Sequence, residues 1–87
     1  MVSKKLTIVN AQGFHMRPAS QFATAMGKYA CNVTLKVNDN TVNAKSLMNI
    51  IAACIKCGNE VELICDGPEE EKALAEAAKM IEDGFGE

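Results

Sequence analysis

The sequence predicts an open-faced two-layer α/β sandwich whose elements follow the order βαββαβα. Segments with the two-residue alternation of strands and segments with the three-to-four-residue spacing of helices follow one another in that order. The strand segments alternate apolar with polar residues, which is typical of an antiparallel sheet with one face on helices and the other in water. We therefore expect a four-stranded antiparallel sheet with three helices on one face. No linker or repeat interrupts the chain, so residues 1–87 are expected to form a single domain.

Apolar spacing predicts the first strand and the first helix. Residues 6–9 (LTIV) are apolar and β-branched, and the polar residues after them end the strand. From Met16 onward, apolar or small side chains recur at helical spacing, which predicts a helix with one buried face. The residues on that face are Ala19, Phe22, Ala23, Met26 and Ala30.

The middle of the chain predicts a hairpin and then a short helix. Residues 33–37 alternate, and the turn residues 38–40 separate them from a third strand over residues 41–43. Ser46 precedes an apolar run over residues 47–53. Its hydroxyl can accept a hydrogen bond from an unpaired N–H of the first turn, so Ser46 is the expected N-cap.

The last strand and the last helix complete the order. Residues 60–65 alternate for most of their length, and the Asp-Gly-Pro sequence at 66–68 ends this strand. The acidic run at residues 69–71 is typical of the first turn of a helix. The expected buried face of this helix contains Leu74, Ala77, Ala78 and Ile81.

The composition limits the classes of function. The 87 residues are 48% hydrophobic with a formal net charge of -2, and the lysines are scattered, so no basic stripe favours nucleic acid. The longest apolar stretch, residues 47–55, is much shorter than the ~20 residues that span a bilayer. The N-terminus becomes polar too early for a signal peptide. We expect a cytoplasmic protein without direct nucleic-acid binding or membrane insertion, whose partners dock on its surface.

The four cysteines are Cys31, Cys54, Cys57 and Cys65. No second C-x-x-C pair and no pair of histidines accompanies Cys54 and Cys57, so we expect no metal site. Free thiols are expected in the reducing cytosol, and three of the four have apolar surroundings in the sequence, which favours packing in the core. A small thiol or metal-binding module that uses Cys54 and Cys57 stays an alternative.

The only histidine lies between the first strand and the first helix, within the segment Gly13-Phe14-His15-Met16-Arg17-Pro18. A helix N-terminus has unpaired N–H groups and a partial positive charge, which suit a phosphoryl group on an imidazole. The same charge and Arg17 disfavour imidazolium, so we expect a neutral, nucleophilic ring at about pH 7. Pro18 is tolerated in the first turn, and Arg17 can donate charge-assisted hydrogen bonds to phosphate. The residues alone leave open an ordinary surface histidine.

Two separated motifs carry a resemblance to a known family. Residues 13–19 (GFHMRPA) and 45–48 (KSLM), with Gly58-x-Glu60, resemble the HPr family, the histidine-containing phosphocarriers of the bacterial phosphoenolpyruvate-dependent sugar phosphotransferase system. The resemblance spans essentially the whole chain. It implies that His15 accepts a phosphoryl group from Enzyme I, which takes it from phosphoenolpyruvate, and passes it to a histidine of an Enzyme IIA domain. Arg17 would help to hold that group. The implied protein is a carrier rather than an enzyme, without a cofactor.

The resemblance also implies a regulatory site at Ser46. Residues 45–48 resemble the form that the ATP-dependent HPr kinase/phosphorylase of low-GC Gram-positive bacteria modifies, and a catabolite-control repressor is then an expected partner. A phosphate at this N-cap adds about -1.5 to -2 charges beside a docking surface. We therefore expect it to act on partner binding rather than on folding. We expect a monomer.

The docking patch is defined here as Met16, Ser20, Leu47 and Met48, the residues expected around His15 and Ser46. Methionine suits a surface that must fit several partners. For Ile51, the sequence does not decide between this patch and the core.

Two positions depart from the family pattern. Relatives mostly have a small residue where Met16 stands, and a glycine where Cys54 follows the second helix. Cysteine adopts the left-handed backbone of a helix end less readily than glycine, so the sequence does not predict how this helix ends. A purely regulatory relative, acting as a corepressor through phospho-Ser46, is an alternative. Its usual mark is loss of the histidine, and His15 is present.

Overall fold

The computed structural model describes residues 1–9, 13–14, 16–37 and 40–86. The predicted order βαββαβα is confirmed, with a short 3-10 turn at Gly84–Gly86 after the last helix. The elements are β1 (Val2–Thr7), α1 (Met16–Gly27), β2 (Asn32–Val37), β3 (Asn40–Asn43), α2 (Leu47–Ala52), β4 (Glu60–Asp66) and α3 (Glu70–Glu82).

The four strands form one antiparallel sheet in the order β1-β4-β2-β3. The register pairs apolar residues across neighbouring strands, as in Leu6 with Val61, Leu35 with Leu63, and Leu35 with Val42. The predicted hairpin of β2 and β3 is confirmed, while its turn residues Asn38 and Asp39 lie outside the described residues.

One face of the sheet is buried under the helices, as predicted. Along β4 the residues Val61, Leu63 and Cys65 are buried, and the residues between them are more exposed. This two-residue period gives the sheet a dry face and a wet face. On the dry face α3 packs against β1 and β4, and α1 packs against α2 and α3.

The first strand was predicted too far along the chain. β1 begins at Val2 and ends at Thr7, so Ile8 and Val9 lie beyond it. Ile8 is buried, but its N–H donates to the Asn59 carbonyl oxygen at 3.0 Å, and its own carbonyl oxygen accepts from the Gly58 N–H at 2.8 Å. Ile8 thus bonds to a turn rather than to the body of β4. Val9 is 54% exposed.

The helix faces also needed correction. α1 ends at Gly27, and Ala30 is exposed beyond it rather than on its buried face. In α3, Ala77, Ala78 and Ile81 are buried as predicted, whereas Leu74 is only half-buried. Sequence reasoning omitted Ala73, which is fully buried on that face.

The acidic run is split by the start of α3. Glu69 precedes the helix with a left-handed φ of 61°, and Glu70 and Glu71 form its first turn. The Gly67 N–H donates to a Glu70 carboxylate oxygen at 3.1 Å, and this bond is the main cause that lowers the pKa of Glu70. The carboxylate therefore satisfies a backbone donor just before the helix.

The prediction that three cysteines pack in the core was wrong, since only two do. Cys31 and Cys65 are buried, while Cys54 and Cys57 are exposed. All four are free thiols in the structure. Burial is the main cause that raises the pKa of Cys65 to about 11, so this thiol stays protonated and unreactive at neutral pH.

Candidate functional site

Phe14, two residues before α1, is anchored by its side chain and by its backbone. Phe14 is buried and its ring contacts those of Phe22 and Phe85, with centroids 5.4 and 4.7 Å away. Its N–H donates to the Ile55 carbonyl oxygen at 3.0 Å. Gly13 has a left-handed φ of 64°, a conformation that glycine adopts without a steric penalty. His15, the next residue in the chain, lies outside the described residues.

The first turn of α1 presents two of the predicted site residues to solvent. Met16 is the first residue of the helix and is 62% exposed, and Arg17 is exposed beside it. Pro18 is buried. Its missing N–H costs nothing here, because the first N–H groups of a helix have no partner within the helix. Ser20, one turn after Met16, is also exposed.

Ser46 caps α2, as predicted. Its backbone is extended, with φ -107° and ψ 111°, and its hydroxyl oxygen accepts a hydrogen bond from the Asn49 N–H at 3.4 Å. The Ser46 carbonyl oxygen also accepts from the Ile50 N–H at 3.1 Å, the first backbone bond of the helix. Ser46 is half-exposed. The cap uses only one lone pair of the Ser46 hydroxyl oxygen, and the half-exposed hydroxyl stays accessible to a partner protein.

The apolar residues of α2 divide between the core and the surface. Met48 is 75% exposed, whereas Leu47 is half-buried and packs on the core. Ile51, left undecided by the sequence, is likewise half-buried against the core, and Ile50 is fully buried. Within the docking patch, Met16 and Met48 thus expose the largest fraction of apolar side chain.

Lys45 joins the two helices that bear these residues. Its ammonium group donates to the Tyr29 carbonyl oxygen at 2.6 Å, just beyond the end of α1, and its N–H donates to the Asn43 side chain. The Tyr29 hydroxyl donates to Glu76 of α3 at 2.6 Å. Sequence reasoning used Lys45 only as part of a motif. This long-range bond had no local signal.

Cys54 and Cys57 belong to the loop between α2 and β4. Cys54 has φ 52°, so a cysteine does occupy the left-handed position that ends α2, and its N–H donates to the Ile51 carbonyl oxygen at 3.2 Å. The Cys57 Sγ atom lies 3.9 Å from the Val9 carbonyl oxygen. Among the residues that the structure describes, no group of three or more His, Cys, Asp or Glu side chains could hold a metal ion. In the same part of the chain, no helix is long and apolar enough to cross a membrane.

The match to a family model decides the family. A model described as the PTS HPr component phosphorylation site matches residues 2–83. The chain belongs to the HPr family. The phosphocarrier protein HPr of Treponema pallidum is 34% identical over 87 residues, covering 100% of this chain and 99% of that protein. The family match favours a phosphocarrier over the thiol or metal-binding module as the main function of the chain.

Solved structures of HPr proteins share the fold. The crystal structure of HPr-C-His from Thermoanaerobacter tengcongensis superposes with a TM-score of 0.96 at 34% identity, covering 100% of this chain and 98% of that one. Crh of Bacillus subtilis, an HPr-like protein, has a crystal structure described as a domain-swapped dimer. It gives a TM-score of 0.77 at 31% identity and covers 97% of each chain. The chain is therefore a phosphocarrier-family protein of the phosphotransferase system.

Proposed function

We propose that this chain carries a phosphoryl group on His15, accepting it from phosphorylated Enzyme I and donating it to an Enzyme IIA domain. The observation that carries the proposal is the match of the phosphorylation-site model, which spans the segment containing His15. The structure of the flanking residues supports it, because Phe14 is anchored in the core and Met16 begins α1. In the sequence, His15 therefore follows a buried residue and directly precedes a helix N-terminus.

The proposed chemistry is a phosphoryl exchange between partners. An unprotonated imidazole nitrogen of His15 forms the new bond to phosphorus, while the bond from phosphorus to its donor atom in Enzyme I breaks. The exposed guanidinium of Arg17 donates charge-assisted hydrogen bonds to the phosphoryl oxygens. The first-turn N–H groups of α1 add a partial positive charge. In the second transfer, a histidine nitrogen of Enzyme IIA forms the new bond to phosphorus, while the bond from phosphorus to the His15 nitrogen breaks.

Intact-mass measurement after incubation with phosphoenolpyruvate and Enzyme I tests the acceptor. One phosphoryl group should be added to the parent chain and none to His15→Ala. The adduct should be lost in acid, as a phosphoramidate is, and a full-strength acid-stable adduct would contradict the proposal. Arg17→Ala should fold normally, because this side chain is exposed, but should transfer more slowly. If Arg17→Ala transfers the phosphoryl group at the parent rate with both Enzyme I and Enzyme IIA, Arg17 does not belong to the site.

Ser46 is proposed as a regulatory phosphorylation site. Its hydroxyl is half-exposed, and it lies directly before Leu47 and Met48 of the docking patch. A phosphate there would place about two negative charges beside the surface that Enzyme I must cover. An HPr kinase/phosphorylase and a catabolite-control repressor are the proposed partners of this site.

The remaining properties of the carrier are proposed as well. We propose a monomeric, cytoplasmic protein whose residues 1–87 form one domain. The Crh structure gives the competing arrangement, a dimer, and sedimentation at working concentration distinguishes the two. Crh also supports a second candidate function, a regulatory relative without carrier activity. That candidate requires that Enzyme I leave His15 unphosphorylated, so the mass measurement decides between them.

A further inference from the structure

The segment that leads to His15 rests on the loop between α2 and β4. The Phe14 N–H donates to the Ile55 carbonyl oxygen at 3.0 Å. A Cβ atom on Gly13 would lie 2.7 Å from the Lys56 Cα atom, so the two backbones approach as closely as a glycine permits. The backbone of Ile55 and Lys56 is therefore a surface that, together with the rings that pack on Phe14, sets where Gly13 and Phe14 lie.

Asn59 holds that surface in place. The Lys56 N–H donates to the Asn59 Oδ1 atom at 2.7 Å, and the Asn59 N–H donates back to the Lys56 carbonyl oxygen at 3.1 Å. Because a backbone N–H can only donate, the side-chain atom that it meets must be the amide oxygen. The turn from Lys56 to Asn59 is thus closed by one backbone bond and one side-chain bond.

The same turn is also hydrogen-bonded to Ile8, the residue that directly follows β1. The Ile8 N–H donates to the Asn59 carbonyl oxygen at 3.0 Å, and the Gly58 N–H donates to the Ile8 carbonyl oxygen at 2.8 Å. The turn that contains Asn59 therefore bonds to Ile8 after β1, and it begins next to Ile55, which bonds to Phe14 before α1.

We propose that Asn59 is a positioning residue for phosphoryl transfer, acting through Lys56 and Ile55 on the residue before His15. The inference rests on the proposed function, in which His15 is the acceptor. Without the Asn59 acceptor, the Lys56 N–H loses its partner, and the Ile55 carbonyl is free to shift together with Phe14. A misplacement of about 1 Å at a reacting group costs up to about a hundredfold in rate, so we expect about a tenfold loss from this indirect displacement.

The test measures kcat and KM of Enzyme I with the carrier as substrate, in reducing buffer and below the melting temperature of every variant. Asn59→Leu removes the acceptor at similar size, and Asn59→Asp keeps it. Cys57→Ser is the matched control, since it alters an exposed side chain of the same turn. We expect Asn59→Leu to lower kcat about tenfold with KM within about twofold, because the docking patch lies on α1 and α2. Asn59→Asp and Cys57→Ser should stay within about threefold of the parent kcat.

Three results would overturn the inference. If Asn59→Leu has the parent kcat, the bond only stabilises the fold. A rise in KM with kcat unchanged would contradict the inference in the same way. Equal losses in Asn59→Leu and Asn59→Asp would show that the acceptor oxygen is not what matters. If Asn59→Leu does not fold, Asn59→Ala, which also removes the acceptor, replaces it. Its kcat is expected below that of Asn59→Asp, and an equal kcat would count against the inference. A parent chain that accepts no phosphoryl group contradicts the proposed function itself, which separates the two failures.

Discussion

Replacing Gly13 by alanine should destabilise the protein, because a side chain at this position strains its backbone and overlaps the α2–β4 loop. Gly13 has φ 64°, and a side chain in this left-handed region costs about 1–2 kcal/mol. The new Cβ atom would lie 2.7 Å from the Lys56 Cα atom and closer still to the Ile55 carbonyl oxygen. Both neighbours are backbone atoms, so relief of the overlap requires a backbone shift that costs about 1–3 kcal/mol.

The two costs sum to about 2–5 kcal/mol, and the lower entropy of the unfolded alanine chain offsets about 0.4–1 kcal/mol of this. The net loss is about 1–5 kcal/mol. For a domain of this size each kcal/mol lowers the melting temperature by about 4–8 °C. We therefore expect Gly13→Ala to melt at least about 4 °C below the parent.

Thermal unfolding by circular dichroism, with urea titration as a second measurement, tests this prediction against a matched control. Gly27 is the last residue of α1, and a Cβ atom there meets nothing within 4 Å. Gly27→Ala should be unchanged or up to about 1 kcal/mol more stable, because alanine has the higher helix propensity. If Gly13→Ala melts as the parent does, or above Gly27→Ala, the close approach of Gly13 to the α2–β4 loop is not what the structure indicates.

Three further predictions concern other parts of the molecule. Ser46→Asp should change the free energy of unfolding by less than about 1 kcal/mol, because an aspartate can also cap α2. It should nevertheless slow Enzyme I-dependent phosphorylation at least tenfold, or ~1.4 kcal/mol. Equal phosphorylation rates would show that Ser46 is only a helix cap. Cys54→Gly should gain about 0.5–1 kcal/mol by urea unfolding, because it relieves the left-handed strain at φ 52°. Cys57→Gly, at a position without positive φ, should show no gain, and an equal gain there would contradict the strain argument. Hydrogen bonds from Tyr29, and then from Lys28, lower the pKa of the Glu76 carboxyl below its ordinary value of 4.5. The ionised carboxylate therefore stabilises the fold above pH 4.5, and this stabilisation is lost as the pH falls through the lowered pKa. The melting temperature of the parent should therefore fall more than that of Glu76→Gln on acidification, and parallel curves would show no linkage.

Features that depend on neighbours in sequence were predictable for this chain. Alternation and helical spacing predicted the order of the elements, and the bounds of β2, β3, α2 and β4 agree with the structure to within one residue. The Ser46 cap is also local, because its hydroxyl bonds a backbone N–H only three residues ahead. The exposure of Arg17 is consistent with the phosphate-binding role expected of it, which stays a prediction together with the role of His15.

Features that depend on contacts between distant segments were decided only by the tertiary fold. Alternation did not show that Ile8 would leave the strand to bond the turn at Gly58 and Asn59, about fifty residues away. It also could not separate the buried cysteines from the exposed pair, since an apolar neighbourhood in sequence is not burial in space. Local preference opposed the left-handed backbone of Cys54, yet the fold imposes it. The support of Gly13 and Phe14 by Ile55 also depends on distant contacts. A hydrogen bond between residues about forty apart in the sequence exists only once the loop and the helix are packed together.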